Sequence, residues 1–101
     1  MSYSAGLNIL EPQVINRERI QDLINSFSSI GASENGSVSR RGFSDEDIYA
    51  RNFFIKTLKD LGLKIRIDTA GNIIARLDGH DNNLPPIVTG SHLDTVPKGG
   101  K

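Results

Sequence analysis

The chain has 101 residues and its twelve basic and twelve acidic side chains cancel, which removes the electrostatic footprint that nucleic acid or an anionic membrane surface would require. It contains no cysteine, so disulfides and thiolate metal sites are excluded and any metal must be held by nitrogen and oxygen donors. A chain this short supports one small domain with a modest core, less than most enzymes need.

Residues 1–15 are expected to form an N-terminal arm, because Gly6 and Pro12 lie among small and polar residues with no helical or strand period. No basic leader precedes an apolar stretch, and no run approaches membrane-spanning length. A soluble, cytoplasmic protein without a membrane partner is the expectation. Asn16 can cap a first helix whose apolar positions Ile20, Leu23, Ile24 and Phe27 fall on one stripe. Ile15 and Ile20 take the staple positions around that cap, and Gly31 can close the far end in the left-handed conformation.

Residues 31–43 are rich in Gly and Ser and read as a loop, long enough to be functional or mobile. Arg40 and Arg41 carry no assigned role there, and a solvated pair of arginines is the plain reading. Ser44 with Asp47 forms a capping box in its Asp version, and Asp45, Glu46 and Asp47 place negative charge at the positive end of a helix dipole. A second helix therefore begins at Asp45. Its face is drawn by Ala50, Phe54, Leu58 and Leu61, widened by Ile48 and Ile55, and Gly62 stands where a C-terminal glycine belongs.

From Leu63 the pattern alternates, with Leu63, Ile65 and Ile67 on one face and Lys64, Arg66 and Asp68 on the other. Thr69-Ala70-Gly71-Asn72 supplies turn chemistry, and Ile73–Leu77 returns as the antiparallel partner. Arg66 and Arg76 belong to the polar face. Residues 78–85 form a polar connection in which His80 has no strand or helix to aim it, so it is not read as a metal ligand. After Pro85-Pro86 the apolar pair Ile87-Val88 predicts a third strand.

That strand delivers His92 and Asp94, two residues apart. In an extended chain both would project from one face, since successive Cβ atoms alternate. An imidazole beside a carboxylate suits a metal ligand with the partner that orients it, and equally a hydrolytic base with its acid. A histidine hydrogen-bonded in a turn is the plain alternative, because H-x-D alone is a frequent chance pattern.

The whole string Gly90-Ser91-His92-Leu93-Asp94-Thr95-Val96-Pro97-Lys98-Gly99-Gly100 resembles the first metal-ligand motif of the two-metal exopeptidase and aminoacylase superfamily. With Gly36-Ser37-Val38-Ser39-Arg40-Arg41-Gly42-Phe43-Ser44, it looks most like the hydantoinase/carbamoylase branch, which contains N-carbamoyl-L-amino-acid hydrolases, β-ureidopropionases and allantoate amidohydrolases. The resemblance runs from about residue 15 to residue 101. It implies an α/β catalytic domain of the zinc-exopeptidase type. Residues 16–101 would supply the N-terminal part of that domain, α+β within this stretch: two helices, a β-hairpin and a third strand.

By the same resemblance His92 would ligate one of two divalent ions, zinc or manganese, and Asp94 would hold its ring. The reaction would be hydrolysis of a carbon–nitrogen bond other than a peptide bond, in a small-molecule ureido or amide substrate. The family pattern places a bridging aspartate, a glutamate base and further ligands downstream, so these residues are expected to act only within a longer chain, a homodimer when complete. Lys98 and Lys101 read as solvated loop lysines. The alternatives are an aminoacylase or dipeptidase of the same superfamily, or a non-catalytic module that binds a partner through an open sheet edge.

Overall fold

Asn16 and Ser44 begin the two helices as their side chains dictate. Each accepts a hydrogen bond from the backbone three residues on, Asn16 Oδ1 from Arg19 N at 3.0 Å and Ser44 Oγ from Asp47 N at 3.2 Å. These contacts satisfy amides that the first helical turn leaves without intrahelical partners. The computed structural model describes residues 14–100. Most of the expected arm, residues 1–13, lies outside them.

The described chain contains helix α1 (Arg17–Ser28), helix α2 (Asp45–Asp60), strand β1 (Lys64–Ile67) and strand β2 (Ile73–Arg76). Helix α2 ends in a Schellman arrangement: Leu63 N donates to Leu58 O at 3.2 Å and Gly62 N to Lys59 O at 2.9 Å. Gly62 has φ 78°, a conformation that costs glycine nothing. The chain then reverses directly into β1.

β1 and β2 pair antiparallel in the register Lys64↔Arg76, Ile65↔Ala75, Arg66↔Ile74 and Ile67↔Ile73. Asp68 organises the turn between them. Its Oδ1 accepts from Ala70 N at 3.0 Å and Asn72 N at 2.8 Å, and its Oδ2 from Asn72 Nδ2 at 2.9 Å. Gly71, at φ 89°, takes the left-handed position of a three-residue hairpin loop. The Asn72 bonds hold the Asp68 carboxyl below its ordinary pKa, because each favours the ionised form.

The core is small. Ile30, Val38, Ala50 and Leu58 are the buried apolar residues among those described. Phe27 joins α1 to α2 through its ring, whose centroid lies 4.9 Å from that of Phe53 and 6.1 Å from that of Phe54, within the range of favourable aromatic pairs.

Three expectations need correction. The third strand does not form: the sheet among the described residues has two strands only, and Ile87 and Val88 are exposed. A strand needs a neighbour to satisfy its amides and carbonyls, and neither hairpin edge offers its ladder to this stretch. The stripe on α1 is only partly covered, with Ile20 and Ile24 near half exposed. Ile15 is also exposed, so the staple buries little; only Leu23 and Phe27 of that stripe turn toward neighbouring surface.

Candidate active site

The Gly/Ser-rich segment after α1 is a tightly bonded connection. Val38, almost fully buried, bridges Ala32 on one side and Gly99 on the other, both antiparallel. Val38 N donates to Gly99 O and Gly99 N to Val38 O, each at 2.8 Å. Gly31 makes the first approach possible: at φ 85°, a Cβ there would stand 2.5 Å from Ser39 O. Gly99 makes the second possible, since a Cβ would meet Val38 O and Val96 O at 3.3 Å. The two strings that carry the family resemblance are therefore joined backbone to backbone.

Arg40 is the pin of that joint. The sequence assigns it no role and a solvated arginine is its plain reading, yet it is buried, with 7 % of its surface accessible. Its Nη1 donates to Phe27 O at 2.7 Å and Ile30 O at 2.8 Å, and its Nε donates to Leu93 O at 2.9 Å. Its backbone exchanges bonds with Thr95: Arg40 N donates to Thr95 Oγ1 at 2.8 Å, and Thr95 N to Arg40 O at 2.7 Å. The guanidinium fork thus satisfies carbonyls at the end of α1, where the dipole favours a cation, and reaches a third on the far side. Arg41 is exposed, in agreement with the solvated reading.

His92 and Asp94 are brought together as the spacing predicts, and the closer contact is to the backbone. His92 Nδ1 lies 2.8 Å from Asp94 O and 3.3 Å from Asp94 Oδ1. A carbonyl oxygen can only accept, so this contact calls for a proton on Nδ1, and in the neutral ring the lone pair is then on Nε2. The ring is 82 % exposed and the carboxylate 50 %.

Beside this pair runs a cleft of about 260 Å³, bordered by Phe43, Arg51, Asn72, His92 and Asp94 among others. Each wall has a local cause. Phe43 is held at φ 62°, an unusual backbone for a bulky residue, while its N–H donates to Asp47 Oδ2 at 2.8 Å. Arg51 Nη2 donates to Gly71 O at 2.6 Å and fixes the hairpin turn against α2. Gly42 leaves room for the carboxylate, since a Cβ there would lie 3.3 Å from Asp94 Oδ2.

A neutral imidazole with its Nδ1 proton committed is the form that binds zinc or manganese through Nε2. His92 fits that role. No group of three or more histidine, aspartate or glutamate side chains that could enclose an ion exists among the described residues. His80 is exposed in the connection after β2.

Sequence reasoning missed Arg40, Thr95 and Phe43. All three stand inside the recognised strings, but nothing in the local pattern tells that residue 40 meets residue 95.

No protein-family model matches the chain. Individual proteins do. A ureidoglycolate hydrolase of Arabidopsis thaliana is 34% identical over 96 residues, covering 95% of this chain and 20% of the relative. An N-carbamoyl-L-amino-acid amidohydrolase of Paenarthrobacter aurescens is 40% identical over 88 residues, covering 87% of this chain and 21% of the relative. A crystal structure of a hydantoinase/carbamoylase family amidase from Burkholderia ambifaria superposes with a TM-score of 0.82 at 37% identity, over 85% of this chain and 21% of that one.

Over the matched stretch the chain has the α+β fold of the corresponding segment of that amidase. The chain is a homologue of the hydantoinase/carbamoylase amidohydrolases, and it spans about a fifth of the length of the curated relatives it matches.

Proposed function

We propose that this chain is part of a metal-dependent amidohydrolase that cleaves the carbon–nitrogen bond of linear ureido compounds, such as N-carbamoyl-L-amino acids or allantoate, and that it acts only within a longer polypeptide. Residues 16–101 belong to its catalytic domain. The observation that carries the reading is the His92 ring, bonded through Nδ1 to the Asp94 backbone with Nε2 left as donor at the edge of a cleft. The names of the homologues supply the substrate class.

Two divalent ions, zinc or manganese, would lower the pKa of a bound water and polarise the scissile carbonyl. The residues of this chain have simpler tasks. His92 offers Nε2 to one ion. Asp94 holds the ring from Nδ1, through its carbonyl and at longer range its carboxylate, and so stabilises the positive charge the imidazole acquires on ligation. Phe43, Arg51 and Asn72 shape the wall past which a substrate would approach. A homodimeric complete protein in the cytoplasm belongs to the same proposal.

The test is His92→Ala in the complete protein. One metal equivalent by elemental analysis, and nearly all ammonia release from N-carbamoyl amino acids or allantoate, should disappear. Unchanged metal content would refute the ligand assignment. Turnover of N-acyl amino acids or dipeptides in place of ureido compounds would move the enzyme to a neighbouring branch.

A further inference from the structure

We infer that Arg40 is a positioning residue that sets the tautomer and direction of the His92 ring, and through them the readiness of Nε2 to take a divalent ion. The ion-binding half of this statement rests on the function proposed above; the ring-setting half does not.

The geometry forms a short chain of contacts. Arg40 Nε donates to Leu93 O at 2.9 Å, and the Arg40 backbone is bonded in both directions to Thr95. Leu93 and Thr95 are the two neighbours of Asp94 in the chain, so the peptide units on both sides of Asp94 are fixed by one residue. The carbonyl of Asp94 is the group that His92 Nδ1 meets at 2.8 Å. Fix the flanking peptides, and the direction of that carbonyl is fixed with them. The ring then has one bonded orientation, although most of its surface is open to water.

The other end of the guanidinium explains why arginine is needed. Nη1 is already engaged with Phe27 O and Ile30 O at the end of α1, so the contact to Leu93 O requires a second nitrogen pointing the other way. Arginine supplies both in a rigid plane. A lysine ammonium is a single point and can satisfy the helix end or Leu93, not both. Arg40→Lys therefore separates two roles: the cation at the end of α1 remains, while the side-chain tie to Leu93 O is lost and only the backbone bonds to Thr95 hold the His92 segment.

The decisive readout is the ring itself. In the metal-free complete protein with ¹⁵N-labelled histidine, at about pH 8 where an ordinary imidazole is neutral, His92 is assigned by its disappearance in His92→Ala. The native protein should show a protonated Nδ1 and an unprotonated Nε2. In Arg40→Lys both nitrogen shifts should move toward a tautomer average, and Thr95→Val should move them the same way if the lysine variant folds poorly. Leu58→Ala, which lowers stability without touching this set of bonds, should leave the ring as in the native protein. A zinc titration should show about tenfold weaker His92-dependent binding in Arg40→Lys, the lower end of what loss of an orienting partner costs.

Native-like ring shifts in both Arg40→Lys and Thr95→Val would overturn the inference, as would an equal displacement in Leu58→Ala, which would make it general loosening. If the native protein binds no zinc through His92, the proposed function fails while the ring shifts still decide the role of Arg40.

Discussion

Helix α2 with its hairpin and the seam between residues 31–43 and 93–99 are built on opposite terms. The first unit is contiguous in sequence and gains from apolar burial at Ala50 and Leu58, a glycine-closed helix end and a turn organised by one aspartate. The second joins residues as far apart as Val38 and Gly99, and its bonds are polar: a guanidinium on three carbonyls, a threonine hydroxyl, a serine hydroxyl and three backbone bonds. Such a seam contributes order more than stability, because each bond replaces one to water and nets only about 0.5–1.5 kcal/mol. Its value lies in direction, and it is the seam that carries His92.

The largest effect expected from that contrast is on stability. Leu58→Ala should cost about 2–5 kcal/mol in denaturant unfolding, the range for a buried leucine, while the protection of the Val38 and Gly99 amides against hydrogen exchange falls only in step with global stability. A selective loss at those two amides would show that the seam depends on the core packing directly. Gly31→Ala should cost about 2 kcal/mol or more, since it combines a left-handed backbone with a clash against Ser39 O. Here the seam should open first: exchange at Val38 and Gly99 should rise before that of the β1 and β2 amides, and a uniform rise would erase the distinction between the two units.

The smallest effect is a pH dependence confined to the hairpin. Asp78 is held below its ordinary pKa of 3.8 by its bonds to Lys64 and then Arg76, and Asp68 below the same value by Asn72. A carboxyl whose native pKa is depressed contributes its full stability above the unfolded value and loses it as pH falls through the native one. Hydrogen-exchange protection near Asn72 should therefore decline as pH drops below 3.8. The carbonyls and hydroxyls of the seam have no proton to gain in that range, so protection at Val38 should outlast it.

The same contrast decides what could be read in advance. Asn16, Ser44 and Gly62 announced helix ends, and the alternation from Leu63 with the Thr69–Asn72 turn announced the hairpin, because each signal and its partner lie within a few residues. The pairing of His92 with Asp94 was equally legible, being two residues long. Arg40 was not, since a loop arginine looks the same whether it meets water or three carbonyls contributed by distant segments. Ile87-Val88 failed for a related reason: apolar character marks a strand, but a strand exists only where a neighbouring edge receives it.

The twin glycines after Pro97 illustrate how a sequence doublet can conceal unequal partners. A methyl group on Gly99 would press on two carbonyl oxygens at the bridge to Val38, whereas one on Gly100 would touch nothing within 4 Å. Space therefore favours glycine at the first position and is indifferent at the second, so the doublet comprises one sterically crowded position beside a neighbour that must be accounted for by something other than crowding among the described residues.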